Sequence, residues 1–506
     1  MRFLRSCADR QRCTGFSLFA FALAACAGCS PPPAAETQPV TLNIGVALPK
    51  TPEASAGFNA FVNNLLSESL VGIGWDGRPY GRVASNWSWS ENGLLLDLTI
   101  RPNMKFHDGK PADNVFVRDT LRKIFSNPRN QSFSVSYKSV TNVETAASGI
   151  VRISLSRPEA LMIVDLSNST ISDSSNDDNG LGPYRLVTRT PQVKLAAFDM
   201  YYRGRPVIDA VQVSEFEEQR SSWAALMRGQ IDAVHEITPA AADFVRAERG
   251  VRGYFFTRPY YYQLLFNVKH PALKNPLVRQ ALSYAVDRQA IIDLALNKQG
   301  AVADGPIWPF HWAYATAEKT YTRNIEAATL RLDAAGMRIK PTPGAGRMPS
   351  RLRFKCLTVA KNSTFEKIAM VLQKQLYEIG VDMEIEAVSV QELGRRIGTG
   401  DFDAILAERT SGRSLAWTYL TFHSSKGLGY SAADKVLDRL RTVSADADVR
   451  SAVSDLQQIF HDDPPAIFIA WPKVARVVSS KFEVPDEGGR DVIATLWQWK
   501  PSRPGE

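Results

Sequence analysis

Between Tyr260 and Asn297 the hydrophobic rhythm of the chain changes, and the change falls just past its middle. Tyr261 to Val268 is an aromatic and apolar run of β-formers, as a buried strand requires. A turn containing Pro271 follows, then Asn275 at an N-cap position and Pro276 at the first helical position. From there Leu277, Ala281, Leu282, Ala285, Ile291 and Leu294 fall along one helical face. This stretch reads as the place where the chain leaves one lobe and founds another. An ordinary strand–helix pair inside a single domain is the alternative, and the flanking pattern has to decide.

On the N-terminal side, Thr41 to Leu48 has the character of a buried strand. Phe58, Phe61, Val62, Leu65, Leu66 and Leu70 then take helical spacing. Glu91-Asn92-Gly93 reads as a hairpin turn before a strand from Leu94 to Ile100. Asp113-Asn114-Val115-Phe116 opens a helix running through Leu121 and Ile124. On the C-terminal side, Pro306 to Phe310 is an aromatic, proline-rich loop, Glu326 to Ala335 a short helix, and Lys340 to Pro349 a Pro/Gly linker. A βαβ unit follows, with strands Leu352 to Val359 and Val381 to Val388. Its helix opens on a capping box, Ser363-Thr364-Phe365-Glu366, and ends at Gly380. A helix around Gln391 to Ile397 leads to a strand from Phe402 to Leu406, which predicts a parallel sheet with right-handed crossovers. After helices from Asp434 to Leu440 and Ala452 to Phe460, Pro464 to Trp471 is a second apolar strand. It pairs with Tyr261 to Val268 as the two crossings between lobes.

Composition adds limits. At 506 residues the chain exceeds one ordinary core, so two or three domains are expected. The formal charge of +8 is partly a property of the N-terminus: the first 25 residues carry a net +3, leaving about +5. No basic run occurs elsewhere, which excludes a nucleic-acid partner. The apolar stretch Thr14 to Ala25 after a basic start reads as an export signal, residues 1–25, too short for a stable membrane span. It ends in Leu23-Ala24-Ala25-Cys26, which looks like a bacterial lipobox and implies cleavage before Cys26 and acylation of its thiol. A plain signal peptide cleaved near Ala25 or later is the alternative. Residues 26–39, with Ser30-Pro31-Pro32-Pro33, form a tether, which places the protein in the periplasmic space or at the cell surface. Of five cysteines, Cys7 and Cys13 lie in the signal, Cys29 in the tether and Cys356 in a strand, so no disulfide framework is expected. The six histidines are scattered without metal-ligand spacing, and Ser172 to Gly180 fails the calcium-loop pattern at Asp178. No metal or cofactor is expected.

Lys105-Phe106-His107-Asp108-Gly109-Lys110-Pro111 is the most specific element of the sequence. It is preceded, in the same block, by Gly81-Arg82-Val83-Ala84-Ser85-Asn86-Trp87-Ser88-Trp89-Ser90 and the Glu91-Asn92-Gly93 turn. Gly182-Pro183-Tyr184-Arg185-Leu186, Tyr202-Arg203-Gly204-Arg205-Pro206 with Asp209, Gly229-Gln230-Ile231-Asp232, Phe266-Asn267 and Arg279-Gln280-Ala281-Leu282-Ser283-Tyr284-Ala285-Val286-Asp287-Arg288 follow in order. Together they resemble the family 5 extracellular solute-binding proteins, the peptide-, oligopeptide- and nickel-binding components of ABC importers. The resemblance spans most of the mature chain. It implies an α/β, two-lobed periplasmic-binding-protein fold with an extra small subdomain and two hinge crossings. Lobe I would comprise residues 40–265 with 470–506, including the small subdomain at about 75–179, and lobe II residues 266–469. It further implies a monomer that binds a small-molecule or peptide ligand, carries no catalytic residue and docks on an ABC permease. The ATPase is a separate chain, since no phosphate-binding Gly-x-x-x-x-Gly-Lys-Ser/Thr is present.

Ligands on open α/β sheets sit beyond the carboxyl ends of strands. That rule selects Thr358 and Lys361 after one strand, and Glu408, Arg409 and Arg413 after another, with Trp417 and Tyr419 as aromatic faces and Tyr261 on the crossing strand. Peptide binders of the family carry an Asp-rich stretch in the second loop, where this chain has Glu408-Arg409-Thr410-Ser411-Gly412-Arg413-Ser414. Two arginines suit a carboxylate, phosphate or sugar hydroxyl; solvent-facing loop charges are the alternative. His107 and Asp108 sit in a Gly-Lys-Pro turn before a helix start and read as loop organisers. A ligand sensor without transport remains as a second function, and an exported hydrolase as a third, although no nucleophile motif is visible.

Overall fold

The computed structural model describes residues 39–47, 52–172, 178–238, 241–316, 320–339, 349–426 and 430–503. Twelve strands join in one mixed sheet. They are β1 (Thr41–Ala47), β2 (Tyr184–Thr188), β3 (Val193–Ala197), β4 (Ala210–Phe216), β5 (Ala233–Ile237) and β6 (Val251–Thr257). They continue with β7 (Tyr260–Phe266), β8 (Gly300–Val302), β9 (Leu352–Val359), β10 (Val381–Val388), β11 (Ala404–Thr410) and β12 (Ala466–Ser479). The spatial order is β2-β3-β4-β1-β5-β12-β7-β11-β9-β10, with β6 and β8 also pairing with β12. The βαβ pattern of the sequence is realised: β9 runs parallel to β10, with Cys356 opposite Ile385, and parallel to β11, with Leu357 opposite Ile405.

β12 is the strand that both halves share. Its first residues pair with β7, Leu265 opposite Ala466 and Tyr262 opposite Ala470. Its last pair with β6, Thr257 opposite Lys473 and Val251 opposite Ser479. The sequence pattern ends this strand at Trp471, whereas the structure carries it on to Ser479, 14 residues in all. Thirteen of these positions resist solvent at least in part because the strand is covered on both faces, and a near-continuous apolar run is what such a strand requires. Lys473 is the exception and stands exposed where the chain changes halves. Only Arg258 and Pro259 separate β6 from β7, and the Arg258 N–H donates to Pro472 O at 3.0 Å. The two crossings therefore lie side by side and are hydrogen-bonded to each other.

The stretch after β7 departs from its expected form. One helical face through Leu294 was expected, but the structure has two helices, Pro276–Ala285 and Arg288–Ala295. Asn275 caps the first as anticipated, accepting from Leu277 N. Val286 is extended, and the Asp287 carboxylate caps the second helix by accepting from Ala290 N at 2.9 Å. A short acidic side chain that offers the backbone this bond favours a new start over continuation. The restart leaves Leu294 64% exposed. Arg279 and Arg288, both buried, clip this pair of helices to the beginning of β12. Arg279 donates to Pro464 O at 2.8 Å and pairs with Asp463, and Arg288 donates to Phe468 O at 2.7 Å and Tyr321 O at 3.0 Å. The capping box of the βαβ unit is likewise shifted. Asn362, one residue earlier than expected, accepts from Thr364 N and Phe365 N.

A separate four-stranded antiparallel sheet, Ala84–Trp89, Leu95–Ile100, Ile150–Leu155 and Val140–Ala147 in spatial order, forms the small subdomain. The helix Asn114–Ser126, capped by Asp113, buries Val117, Leu121 and Phe125 against it. His107 binds this subdomain to the Gly-Pro-Tyr segment: Nε2 donates to Gly182 O at 3.1 Å, and Nδ1 accepts from Gly180 N at 3.3 Å. Burial holds this imidazole below its ordinary pKa, and both nitrogens are engaged in positioning the loop. At Gly182 a Cβ would stand 2.4 Å from Leu65 O, so the close backbone approach admits glycine alone. Residues 173–177 of the acidic loop, the linker 340–348, and the signal, Cys26 and Cys29 lie outside the described residues. Among the described residues no helix is long and apolar enough to cross a membrane.

Replacing Arg288 by Met keeps the apolar stem but leaves the Phe468 and Tyr321 carbonyls short of a donor. We expect a loss of roughly 2–4 kcal/mol of unfolding free energy. Urea denaturation of the Arg288→Met protein checks this, and a change under 1 kcal/mol would remove the clip from the account of β12.

Candidate functional site

A cavity of about 670 Å³ opens where three separate parts of the chain converge. The segment Glu68–Trp75 with Tyr80 and Arg82 supplies one wall, the C-terminal return Arg490–Gln498 a second, and Gly412-Arg413, beyond the end of β11, a third. Arg203 enters beside Trp497, its guanidinium 4.8 Å from the ring centroid.

The β11 loop is placed by local backbone chemistry. Gly412 and Arg413 are both left-handed, with φ of +54° and +59°. A Cβ on Gly412 would lie 2.4 Å from the Trp417 ring, so glycine is needed for conformation and for space. Ser414 then caps the helix Leu415–Phe422 by accepting from Ala416 N. The Ser411 N–H donates to Pro259 O at 2.8 Å, which ties the loop to the first crossing.

The floor beside the loop is aromatic. Trp75 meets Trp308 edge-on at 4.9 Å and Phe310 at 5.4 Å, and Trp308 meets Trp471 at 5.4 Å. Trp308 Nε1 donates to Trp75 O at 2.7 Å. The proline-rich loop seen in the sequence is thus the anchor on which the Trp75 turn rests. Further contacts join the small subdomain to the second half of the chain. Arg78 forks onto Asp446 at 2.6 Å and 3.3 Å. Arg441 grips the fully buried Glu159, with Nε at 3.1 Å, and donates to Tyr419 Oη at 3.1 Å.

Charges on the wall are unevenly satisfied. Glu68, 2% exposed, accepts from Tyr201 Oη at 2.6 Å and lies 3.1 Å from Arg82. Burial pushes its carboxyl up, and Arg82 only partly opposes this. For Asp491 burial acts upward too, but bidentate bonds from Arg476 at 2.9 Å and 2.7 Å outweigh it and hold the carboxyl below its ordinary value. Glu487 pairs with Arg490. Arg413, by contrast, is pulled below its ordinary value by burial, and its Nε meets no acceptor among the described residues.

Of the residues the sequence pointed to, Arg413 lines this cavity and Trp417 backs it from beneath Gly412. The others are placed elsewhere. Arg409 stands opposite Tyr261 and Glu408 opposite Tyr262, so the two consecutive charges face opposite sides of the sheet. Glu408 lies with Tyr262, Arg258 and Glu236; burial raises its carboxyl, Arg258 opposes and Glu236 adds. Arg409 Nε is buried without a partner among the described residues. Tyr261 is enclosed between Phe468 and Trp471, at 5.9 Å and 5.1 Å. Thr358 is fully buried, Lys361 is exposed in a left-handed turn, and Tyr419 stacks on His423 at 4.4 Å. The wall residues Glu68, Arg82, Arg203 and Asp491 were not selected as site residues from sequence, although Arg82 and Arg203 fall within the Gly81-Arg82-Val83 and Tyr202-Arg203-Gly204-Arg205 landmarks. No group of three or more His, Cys, Asp or Glu side chains suited to a metal ion occurs among the described residues.

A two-lobed α/β molecule with a small subdomain and two adjacent crossings defines the periplasmic-binding-protein class. The model of the bacterial extracellular solute-binding proteins, family 5 (middle), matches residues 78–430, and the chain belongs to this family. It is 28% identical over 422 residues to the oligopeptide-binding protein AppA of Bacillus subtilis, covering 76% of each chain. It is 23% identical over 464 residues to the glutathione-binding protein GsiB of Pectobacterium atrosepticum, covering 85% of this chain and 87% of that one. The structure of AgaA from A. tumefaciens in complex with agropinic acid superposes with a TM-score of 0.73 at 22% identity, over 92% of this chain and 99% of that one.

His311, beneath the Trp75 turn, yields a pH prediction. It is 7% exposed, its Nδ1 accepts from Ala313 N at 3.2 Å, and burial brings its pKa down to about 4. An unfolded chain takes up this proton near pH 6.5, so the stability His311 permits is present above that value and is lost as pH falls toward 4. The loss reaches roughly 3 kcal/mol at pH 4. Asp165, whose carboxyl burial raises to about 6, acts in the opposite sense across the same window but equally in any variant retaining it. The unfolding free energy of wild type minus that of His311→Gln should therefore fall by roughly 3 kcal/mol between pH 7 and pH 4. Parallel curves would sink the assignment.

Proposed function

We propose that this chain is the substrate-binding lipoprotein of an ABC import system. It captures a peptide or similar small polar solute between its lobes and delivers it to a membrane permease whose ATPase subunits are separate chains. The observation that carries this reading is the cavity itself, walled by parts of both halves and closed at its back by the Trp75–Trp308 contact. Its volume of about 670 Å³ lies in the ordinary range for small-molecule sites, roughly 300–1,000 Å³. The names of the relatives, binders of oligopeptides, glutathione and agropinic acid, support a small polar organic solute.

Function in this reading is a shift between open and closed populations. The crossings at Arg258–Pro259 and Pro472–Lys473 absorb the movement. The lobes divide at these crossings, with β7 and β12 up to Pro472 in lobe II, a few residues from the boundaries 265/266 and 469/470 expected from the sequence. Arg78–Asp446 and Glu159–Arg441 form on closure and hold the solute in. The loop bearing Arg413 is tethered to Pro259, so bending at the crossing displaces it directly. Residues 1–25 are removed, and acylated Cys26 keeps the protein, a monomer, on a membrane facing the periplasmic space or the exterior.

Native mass spectrometry of the soluble form, residue 30 onward, followed by a thermal-shift screen of short peptides, anionic amino-acid conjugates and oligosaccharides, tests the central claim. A bound solute or a saturable shift is expected; turnover of the bound compound would replace the reading with an enzyme. Arg441→Ala removes the one partner of Glu159 that comes from the other lobe, leaving Arg157 and Ser139, so the dissociation constant should rise several-fold. An unchanged constant separates that contact from closure. In cells, Cys26→Ser should move the full-length protein from the membrane to the soluble fraction, and retention would end the anchor assignment.

A further inference from the structure

Counting charges around the cavity separates what is already neutralised from what is free to meet a ligand. Four arginines line it, Arg82, Arg203, Arg413 and Arg490, against three carboxylates, Glu68, Glu487 and Asp491. Every carboxylate is engaged by an arginine: Glu68 by Arg82, Glu487 by Arg490, and Asp491 by Arg476 from behind the wall. Arg203 and Arg413 have no ion pair and no side-chain hydrogen bond among the described residues. Arg203 lies over the Trp497 ring, its guanidinium carbon 4.8 Å from the centroid, and its N–H groups have no acceptor among the described residues. Arg413 is held left-handed at the loop tip with its Nε buried and no acceptor.

We propose that Arg203 and Arg413 form the anion-recognition element of the cavity, and that the solute is a carboxylate-bearing compound recognised without a free ammonium group. This deepens the substrate-binding reading and rests on it. Arg203 is exposed, whereas Arg413 is half-buried with its Nε shielded from solvent and unpaired. A shielded guanidinium N–H without an acceptor is costly, and a carboxylate accepting paired N–H groups is the partner the fork geometry fits. An ammonium has no corresponding site. Each wall carboxylate is already charge-balanced by an arginine, so an ammonium would gain little there beyond what water offers it. The Glu68 carboxylate is the most enclosed of the three, Tyr201 donating to Oε1 and Arg82 standing 3.1 Å from Oε2, which is itself shielded from solvent. The two arginines come from different lobes in the proposed division, Arg203 from lobe I and Arg413 from lobe II. An anion between them therefore removes a like-charge repulsion that opposes closure.

The test uses one skeleton with its ends blocked in turn, measured by calorimetry on the tag-free soluble protein after denaturation and refolding to strip any co-purified solute. The probes are Ala-Ala, N-acetyl-Ala-Ala, Ala-Ala amide and N-succinyl-alanine. N-acetyl-Ala-Ala and N-succinyl-alanine should bind, and the amide should not. Arg203→Ala and Arg413→Ala should each weaken acid binding about 10- to 100-fold. Arg413→Lys should restore part of the loss, since it keeps the charge and not the fork. Tm values of the ligand-free variants near wild type show that the fold is retained. Binding of the amide as tight as that of the acids, acid binding unmoved by either alanine variant, or no binding of any acid at millimolar concentration overturns the proposal. The last outcome leaves the substrate-binding reading standing on its own mass-spectrometric test. Absence of any co-purified solute and of any thermal shift across the wider screen is instead the failure of that reading.

Discussion

Everything in this molecule depends on β12 being hydrogen-bonded on both sides at once. At its start it completes the sheet that holds β7, β11, β9 and β10, and at its end it completes the sheet that holds β5, β1 and β4. A strand in that position has no freedom to slip, because a one-residue shift would break two ladders at once and carry the exposed Lys473 position into the core. Arg279 and Arg288 fix its beginning by bonding the carbonyls of Pro464 and Phe468, and Arg476 fixes its end through Asp491. Asp491 of that last pair lines the cavity. One contact therefore links the end of the central strand to the wall of the site.

The same economy governs the electrostatics. Buried charges are tolerated here where a partner or several carbonyls surround them, as at Glu159 with Arg441 or Arg288 among backbone oxygens. Such groups explain why the wall is rich in arginine without being uniformly cationic. Position relative to those pairs, more than residue type, separates the structural cations from those facing the solute.

How far the sequence disclosed this can be traced residue by residue. The strands from Leu352 and Val381 and the helix between them were legible because apolar spacing, a cap and Gly380 all agree. The break at Val286–Asp287 was hidden because apolar residues continue on both sides of it, and only the Asp287 cap betrays it. β12 beyond Trp471 was hidden by Lys473 and Arg476, charges that a strand buried on both faces rarely carries. The carboxyl-end rule found Arg413. It could not find Glu68, Arg203 or Asp491, which reach the same space from segments that do not follow strands of that half of the sheet. Nor could it assign Glu408 and Arg409 to opposite faces without the pairing register of β7 with β11.

The place of β12 in the chain also governs how the protein is made. The N-terminal half of the sheet lacks its central neighbour until residue 479 has left the ribosome, so neither half can be finished as an independent unit during synthesis. Non-local pairing of this kind is slow, because the long loop must close before any of its contacts form. A chain that cannot complete its fold until nearly all of it has been translated stays unfolded longest, and that is the state in which a polypeptide is threaded through a narrow export channel.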